Sequence, residues 1–378
     1  MIEQQINPTL PIHGVMPRFS SILSLFDGMS CGQIALNRIG IKYDNYFASE
    51  IDKHAIKVTQ TNYPKTIQLG DVTKVFAKDL PKIDLLIGGS PCQSFSNAGL
   101  RNGFDGKSKL FWEYVRVLKE TKPKYFLLEN VKMKQEWQDI ISNELGVKPV
   151  EICSSLFSAQ QRKRLYWTNI PVDLSKLPNS NEVIADVLEL PIVNERKNKI
   201  LMSKSDFKVS VRKNYIDKKE FALFLRNHKT KTINEIANFC NAPKTMVEHW
   251  FRMDGSFSIP NVEYWDKLKK CLNIEDCKYD KAVTEFEIKN NSFDMAKRIY
   301  HIDGKHPTLT TLTGGGQRKT ITDGKEMFYL NPNHCEKLQT VPLDYTKIVT
   351  ERQRFRMLGN GWTVDVIAHI FGSLLNGA

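Results

Sequence analysis

The sequence predicts a doubly wound α/β domain, and three observations carry that reading. Short apolar runs alternate with helical stretches from Phe19 to about Pro171, a glycine-bearing turn follows the first run, and an acid closes the second. Strands separated by helices pair in parallel through right-handed crossovers, and such sheets bind ligands at the carboxyl ends of their strands.

In order along the chain, Ser21–Phe26 reads as a strand and Gly32–Arg38 as the helix after it. Tyr43–Ser49 is the next strand, followed by a helix over Lys53–Thr61. Ile83–Gly88 is a third strand, Leu110–Lys119 a helix, and Tyr125–Leu128 a fourth strand. After Pro171 the pattern changes. Ser175–Tyr215, rich in Lys, Asn and Ser, reads as connector, whereas Phe221–Asp280 is helical in period without strand signals. His306–Lys319 is a Thr- and Gly-rich loop, and helical patterning returns from Leu330 to end with Trp362–Leu375. The expected organisation is an arm over residues 1–19, a catalytic domain over 20–175, an inserted region over 176–325, and a segment 326–378 that returns to the first domain.

With 378 residues, 41% hydrophobic and 25% charged, the chain has the composition of a globular protein with a large core. No apolar run approaches the ~18 to 20 residues of a membrane span. Met1–Ser20 lacks the basic end and apolar stretch of a secretory signal, so a cytoplasmic, membrane-free protein is expected. Seven scattered cysteines with no C-x-x-C pair give neither a disulfide framework nor a metal site. The formal charge is +12, and Arg196–Lys231 holds twelve Lys or Arg against three acids, a net +9. Such a segment suits a polyanion such as nucleic acid; a solvated linker face is the alternative.

The chemistry-bearing residues fall at strand ends. Asp27-Gly28-Met29-Ser30-Cys31-Gly32 lies between the first strand and its helix, although it is not G-x-G-x-x-G. Glu50 ends the second strand where such folds hold ribose hydroxyls, and Asp71 closes a further short apolar segment where it would accept from an adenine amino group. No Walker-type G-x-x-x-x-G-K-[ST] is present, which favours adenosine without triphosphate. Cys92 stands in Gly88-Gly89-Ser90-Pro91-Cys92-Gln93, on a turn after the third strand. A thiolate there can add to an electron-poor ring carbon, and a desolvated acid can hydrogen-bond a ring nitrogen. Glu129, at the end of Phe126-Leu127-Leu128, is such an acid. Gln160-Gln161-Arg162-Lys163-Arg164 supplies guanidinium groups for a carbonyl oxygen and for the thiolate. Separately, a Pro-Cys turn is usually structural, a strand-final Glu often caps a helix, and an Arg run can be plain surface.

Together these blocks resemble the cytosine-5 DNA methyltransferase family. The blocks are Ser24-Leu25-Phe26-Asp27-Gly28, Gly70-Asp71-Val72, Gly88 to Ser96, Leu128-Glu129-Asn130-Val131, Gln160-x-Arg162-x-Arg164 and Gly359-Asn360-Gly361-Trp362. They cover about 20–170 and 305–378. Ser-Leu-Phe-Asp-Gly and the tryptophan of the last block are similar to bacteriophage members and the eukaryotic de novo enzymes. The resemblance implies a Rossmann-like S-adenosylmethionine methyltransferase domain with a mainly helical target-recognition insertion. It implies methyl transfer from S-adenosyl-L-methionine, leaving S-adenosyl-L-homocysteine, to carbon 5 of a cytosine flipped out of double-stranded DNA. By the same resemblance Cys92 is the nucleophile, Glu129 engages nitrogen 3 and the exocyclic amine, and Arg164, with Arg162 beside it, serves the base carbonyl. Phe26 packs on the cofactor, Glu50 takes the ribose, Asp71 and Val72 bracket the adenine, and Asn360 and Trp362 return to close the site. Asp27, Gly28, Ile51, Pro91 and Leu110 complete the cofactor set. The last block departs from the family, with Gly361-Trp362 where many members carry Ser-Val. A monomer is expected, with a cognate restriction endonuclease as a partner such enzymes can have. Rival readings are an RNA cytosine methyltransferase and a DNA-binding regulator on an inactive scaffold.

Within the insertion, Ile233–Arg252 resembles a helix-turn-helix. Ala237 permits close packing, Asn241 takes the left-handed turn position, and Pro243 suits the first turn of the second helix. Val247 and Trp250 then anchor that helix in a core continued by Trp265, Leu268 and Leu272. Lys244, Thr245, Glu248 and Arg252 are the residues expected to meet DNA; a generic helical hairpin is the alternative. The segment His306–Gly316 resembles the family's organiser of the recognition region, and a simple linker is the alternative.

Overall fold

The computed structural model describes residues 18–91, 110–188, 207–211, 218–254, 256–277, 279–280, 285–288, 299–311, 319–323 and 327–375. The N-terminal arm up to residue 17, Cys92 with its loop to residue 109, and much of the basic segment lie outside them. Two compact units form: one from the chain up to Ile152 with Arg164–Leu177 and Val364 onward, the other from Cys153–Lys163 and Pro178–Thr363.

The first unit is built on β1 (Arg18–Leu25), α1 (Cys31–Arg38), β2 (Lys42–Ser49), α2 (Lys53–Asn62), β3 (Ile67–Gln68), β4 (Leu85–Gly88), α3 (Phe111–Thr121), β5 (Tyr125–Val131), α4 (Gln135–Leu145), β6 (Val150–Cys153) and β7 (Lys163–Thr168). The sheet order is β3-β2-β1-β4-β5-β7-β6. β1 pairs in parallel with both β2 and β4, so the strand order reverses at β1, and the crevice above the carboxyl ends of β1 and β4 is the expected ligand site. β4 is buried throughout, as its unbroken apolar run demands of a central parallel strand. Leu23, Leu86, Tyr114, Leu128 and Trp167 share one core beside this sheet.

The reversal of one strand was not read from the sequence. β7 runs antiparallel to β5. Its pairing carries β5 past Leu128 to Val131, because strand hydrogen bonds hold the polar Glu129 and Asn130 in the ladder. At the chain's end α12 (Val364–Gly372) packs against α1, where Arg38 and Asp365 form an ion pair.

The second unit contains α5 (Ile184–Leu188), β8 (Phe207–Val211), α6 (Lys218–Asn227), α7 (Ile233–Cys240), α8 (Lys244–Trp250), α9 (Val262–Leu272), β9 (Glu285–Ile288), β10 (Ile299–His301), β11 (Thr320–Thr322), β12 (Met327–Tyr329), α10 (Pro332–Leu338) and α11 (Glu351–Asn360). The helical reading of Phe221–Asp280 agrees with α6 to α9, whose core gathers Phe221, Val247, Trp250, Trp265 and Leu268. The insertion also carries a five-stranded sheet in the order β12-β11-β10-β9-β8. Its strands are three to five residues long, too short to show a period. Among the described residues no helix is long and apolar enough to cross a membrane.

Candidate active site

The loop after β1 is shaped by backbone geometry first. Phe26, Gly28 and Ser30 all take positive φ, at 58°, 59° and 66°. Phe26 is half-buried against the core and leads into a turn in which Ser30 N donates to Asp27 O at 3.0 Å. Glu50 ties this loop to the one after β2. Its Oε2 accepts Gly28 N at 2.8 Å, while Oε1 accepts Ile51 N at 2.7 Å and Asp52 N at 2.8 Å. Ile51 itself projects outward, 77% exposed.

Asp27 is the most perturbed acid of this region. Tyr46 Oη donates to its Oδ1 at 2.9 Å, whereas Oδ2 is enclosed with no hydrogen-bond partner. Desolvation pushes the carboxyl up to about 6, offset in part by the hydroxyls of Ser24, Ser30 and Tyr46 and reinforced by the Glu50 charge. Asp71 is exposed and caps a short 3₁₀ turn at Val72–Lys74. One oxygen, Oδ1, accepts both Thr73 N at 3.0 Å and Thr73 Oγ1 at 2.9 Å, and these bonds hold the carboxyl below its usual range. Val72 is buried beside it, and Leu110 is half-buried at the start of α3.

On the other side of β4, Glu129 and Arg164 meet as an ion pair, Oε1 to Nε 2.9 Å, with side chains 10% and 12% exposed. Glu129 is therefore not a lone acid among apolar groups; its partner is a guanidinium. Asn130, next in β5 and buried, donates through Nδ2 to Ser90 Oγ at 3.1 Å, and its Oδ1 accepts Val131 N at 2.8 Å. Ser90 and Pro91 are the last described residues before Cys92, which lies outside the described residues. Asn130 thus holds Ser90, in the chain that leads to Cys92, a role that its place beside Glu129 did not reveal.

Arg162 is placed differently from the expectation that it serves the base beside Arg164. It is 2% exposed, and its guanidinium donates to the carbonyls of Leu309 at 3.3 Å, Gly359 at 3.3 Å and Gly361 at 2.9 Å. The last turn of α11 leaves carbonyls without helical donors, and a cation is favoured there. Asn360 ends α11 in an exposed position, and Trp362 follows, half-buried.

In the insertion, Thr232 and Glu235 form a reciprocal capping box at the start of α7, and Asn241 ends that helix at φ 53°. Val247 and Trp250 are buried, Lys244 and Thr245 exposed, and Glu248 half-buried. Arg252 is exposed and donates to Ser256 Oγ at 3.0 Å. The start of the loop read as a possible linker is stitched down instead. His306 N donates to Ala159 O at 2.7 Å, Gln161 N to His306 O at 2.7 Å, and the Lys305 ammonium to the carbonyls of Ser155, Ser158 and Ser180. Residues 312–318 of that loop lie outside the described residues.

Comparison with known proteins agrees with this architecture. A DNA modification methyltransferase encoded within a prophage of E. coli shares the fold with a TM-score of 0.56 at 19% identity, over 94% of this chain and 99% of that one. Entamoeba histolytica methyltransferase EhMeth does so with a TM-score of 0.57 at 16% identity, over 95% and 98%. By sequence, the chain is 42% identical over 314 residues to the orphan methyltransferase M.SPRI of Bacillus phage SPR, and 31% identical over 349 residues to M.Rho11sI of Bacillus phage rho11s. Each alignment covers 79% of this chain and 66% or 68% of the relative, so the chain spans about two thirds of their length. Residues 20–376 match the family model of C-5 cytosine-specific DNA methylases, and the chain belongs to that family of DNA-modifying enzymes.

Proposed function

We propose that the chain transfers a methyl group from S-adenosylmethionine to carbon 5 of a cytosine turned out of duplex DNA, with Cys92 as nucleophile. The observation that carries this reading is the Glu129–Arg164 pair at the end of β5, tied through Asn130 to Ser90. A carboxyl group and a guanidinium side by side match the edge of a cytosine: one carboxyl oxygen accepts from the exocyclic amine, the other, when it carries a proton, donates to nitrogen 3, and the guanidinium donates to the carbonyl oxygen.

The loops after β1, β2 and β3 suit an adenosyl cofactor. They present Asp27, Glu50 and Asp71, acids that repel phosphates and accept from hydroxyl and amino groups. The enclosed Asp27 Oδ2, without a partner, suits a cationic neighbour. When bound, S-adenosylmethionine supplies a methyl group made electrophilic by its sulfonium. Glu50 would hold the ribose through the lone pairs its backbone contacts leave free, Asp71 and Val72 the adenine, and Phe26 the ring face. Gly28, Ile51, Pro91 and Leu110 would frame this set.

Cys92 Sγ forms a bond to carbon 6, which moves the carbon 5–carbon 6 pair onto carbon 5 and makes it nucleophilic. Glu129 and Arg164 stabilise the ring while it holds that charge. Carbon 5 would take the methyl group, leaving S-adenosyl-L-homocysteine, and loss of the carbon 5 proton to solvent water returns the pair to the ring and expels the thiolate. Cys92→Ala is expected to abolish incorporation of tritiated methyl groups into DNA while cofactor binding persists. Survival of incorporation in that variant overturns the mechanism. Bisulfite sequencing of plasmid from expressing cells reads the cytosine chemistry and the target site together, and an RNA substrate would leave that DNA unmodified.

A further inference from the structure

Helices α6 to α9 form a bundle inserted between two strands that pair with each other, β8 and β9 running antiparallel. Among the described residues the bundle's core is drawn from positions 221–279 alone, so packing inside it fixes where each of its turns lies. Charge is spread unevenly over it. Residues 221–234 hold Arg226, Lys229 and Lys231 and no acid, whereas 263–276 hold Glu263, Asp266, Glu275 and Asp276 beside three lysines. Arg226, Lys229 and Lys231 are all exposed, and none of them is ion-paired among the described residues. By contrast, Lys269 on α9 is held by Asp276 at 3.0 Å and Asp280 at 2.8 Å.

Aromatic rings hold two of these cations in place. The Lys229 ammonium lies 5.6 Å from the ring centroid of Phe251, the buried residue that follows α8. The Lys231 ammonium lies 5.3 Å from that of Phe239 on α7. A ring face attracts a cation without neutralising it, so each charge stays available to solvent while its long side chain is ordered. The turn between α6 and α7 is thus fastened both to α7 and to the far end of α8. Glu235, the first acid after it, is engaged at the start of α7, where its Oε2 accepts Thr232 N and Thr232 Oγ1, both at 2.7 Å. Exposed, ordered cations along one turn match the phosphates of a polynucleotide, contacts that position a duplex without reading its sequence. We propose that the α6–α7 turn is a phosphate-binding edge for duplex DNA, with Arg226, Lys229 and Lys231 as its contacts, and that it seats the DNA backbone beside α8. This rests on the reading that duplex DNA is the substrate, and goes beyond it in assigning the cations that hold the backbone.

The experiment measures binding of the full chain to a fluorescein-labelled DNA duplex of mixed sequence across a salt series. Lys229→Met keeps an apolar stem over Phe251 and loses the charge. It is expected to lower the slope of log affinity against log salt by about 1, and the triple variant with Arg226→Met and Lys231→Met by about 3. Lys229→Arg, which keeps the charge, should hold the parent slope. Lys270→Met removes an exposed charge from α9 and should leave the slope unchanged. Preference among sequences in bisulfite reads of methylated plasmid should not change in the triple variant, because phosphate contacts carry no sequence information. A triple variant with the parent's slope overturns the proposal. So does an equal fall for Lys270→Met, which would make the effect one of net charge, or a fall seen on duplex RNA and not on duplex DNA. If the parent neither binds nor methylates DNA, the reading of the substrate fails as well. If the parent methylates plasmid and the triple variant keeps its slope, only the phosphate-binding edge fails.

Discussion

Glu129 Oε1 and Arg164 Nε lie 2.9 Å apart across an antiparallel strand pair in which Glu129 faces Tyr166 and Val131 faces Arg164. The reversal of β7 against β5 makes this possible, because a parallel neighbour would carry its own residue 164 equivalent away from the same strand end. Each charge is nearly enclosed, so each depends on the other for compensation.

Substituting one partner therefore has two effects that a double variant separates. Glu129→Gln and Arg164→Met are each expected to cut kcat by about a hundredfold or more and to destabilise the fold by about 3 kcal/mol. The double variant removes both charges, so chemical denaturation should show most of the stability restored. Methyl transfer should stay lost. Recovery of activity together with stability would falsify a role for the pair on the base.

Asn130 supports the same site from beneath. Its bond to Ser90 Oγ holds the residue two before Cys92, and small misplacements of a reacting group cost about a hundredfold in rate. Asn130→Ala should lower kcat by about that factor with cofactor affinity within about twofold, as titration calorimetry would show. A rate within a few-fold of the parent means that the loop finds its position without Asn130.

Asp27 gives a pH signature. The free carboxyl titrates near 3.8, and burial raises it to about 6 in the fold. Between those values the folded chain holds more protons than the unfolded one, so stability falls as pH rises from about 4 to 6 and stays lower above that. At about 1.4 kcal/mol for each pH unit the loss is at most about 3 kcal/mol. Asp27→Asn should flatten this slope in urea denaturation of the cofactor-free protein, and stabilise it above pH 6. Parallel curves for parent and variant between pH 4 and 6 would show that the carboxyl ionises freely.

The central strands could be read because parallel strands buried on both faces are continuous apolar runs, as in Leu85-Leu86-Ile87-Gly88. The α7–α8 junction was legible through Asn241, whose left-handed φ of 53° few other residues tolerate. β7 escaped notice because it opens on Lys163 and Arg164 and exists through its pairing with β5. The sheet of β8 to β12 depends on partners far apart in sequence, which no local pattern encodes. Arg162 illustrates the same limit for chemistry. A motif identifies a guanidinium, but only the fold shows that the carbonyls of Leu309, Gly359 and Gly361 have taken it.

Gly359 tests the packing of that turn directly. A Cβ there would stand 2.6 Å from both Thr310 C and Thr310 O, which are backbone atoms and cannot rotate aside. Gly359→Ala should lower the unfolding free energy by about 1 to 3 kcal/mol. Gly372, the last residue of α12, has nothing within 4 Å of the same added atom. Gly372→Ala should be neutral or slightly stabilising. Equal melting temperatures for the two variants would contradict the close approach.

Site choice is expected to follow α8. Val247 and Trp250 are buried on one side of this helix, which leaves Lys244 and Thr245 exposed in its first turn. Reading helices present their N-terminal residues to base edges, whereas a hairpin that merely packs has no use for the identity of those two side chains. The two residues should also fail differently. Lys244→Ala removes a positive charge and should weaken binding to every duplex alike, lowering the slope of log affinity against log salt by about 1 if the contact is to phosphate. Thr245→Ala leaves the charge untouched, so any effect must appear as altered preference among sequences in bisulfite reads of methylated plasmid. Unchanged salt slope in the first variant and unchanged preference in the second would leave α8 as packing alone, and would move the search for specificity to the five-stranded sheet beside it in sequence.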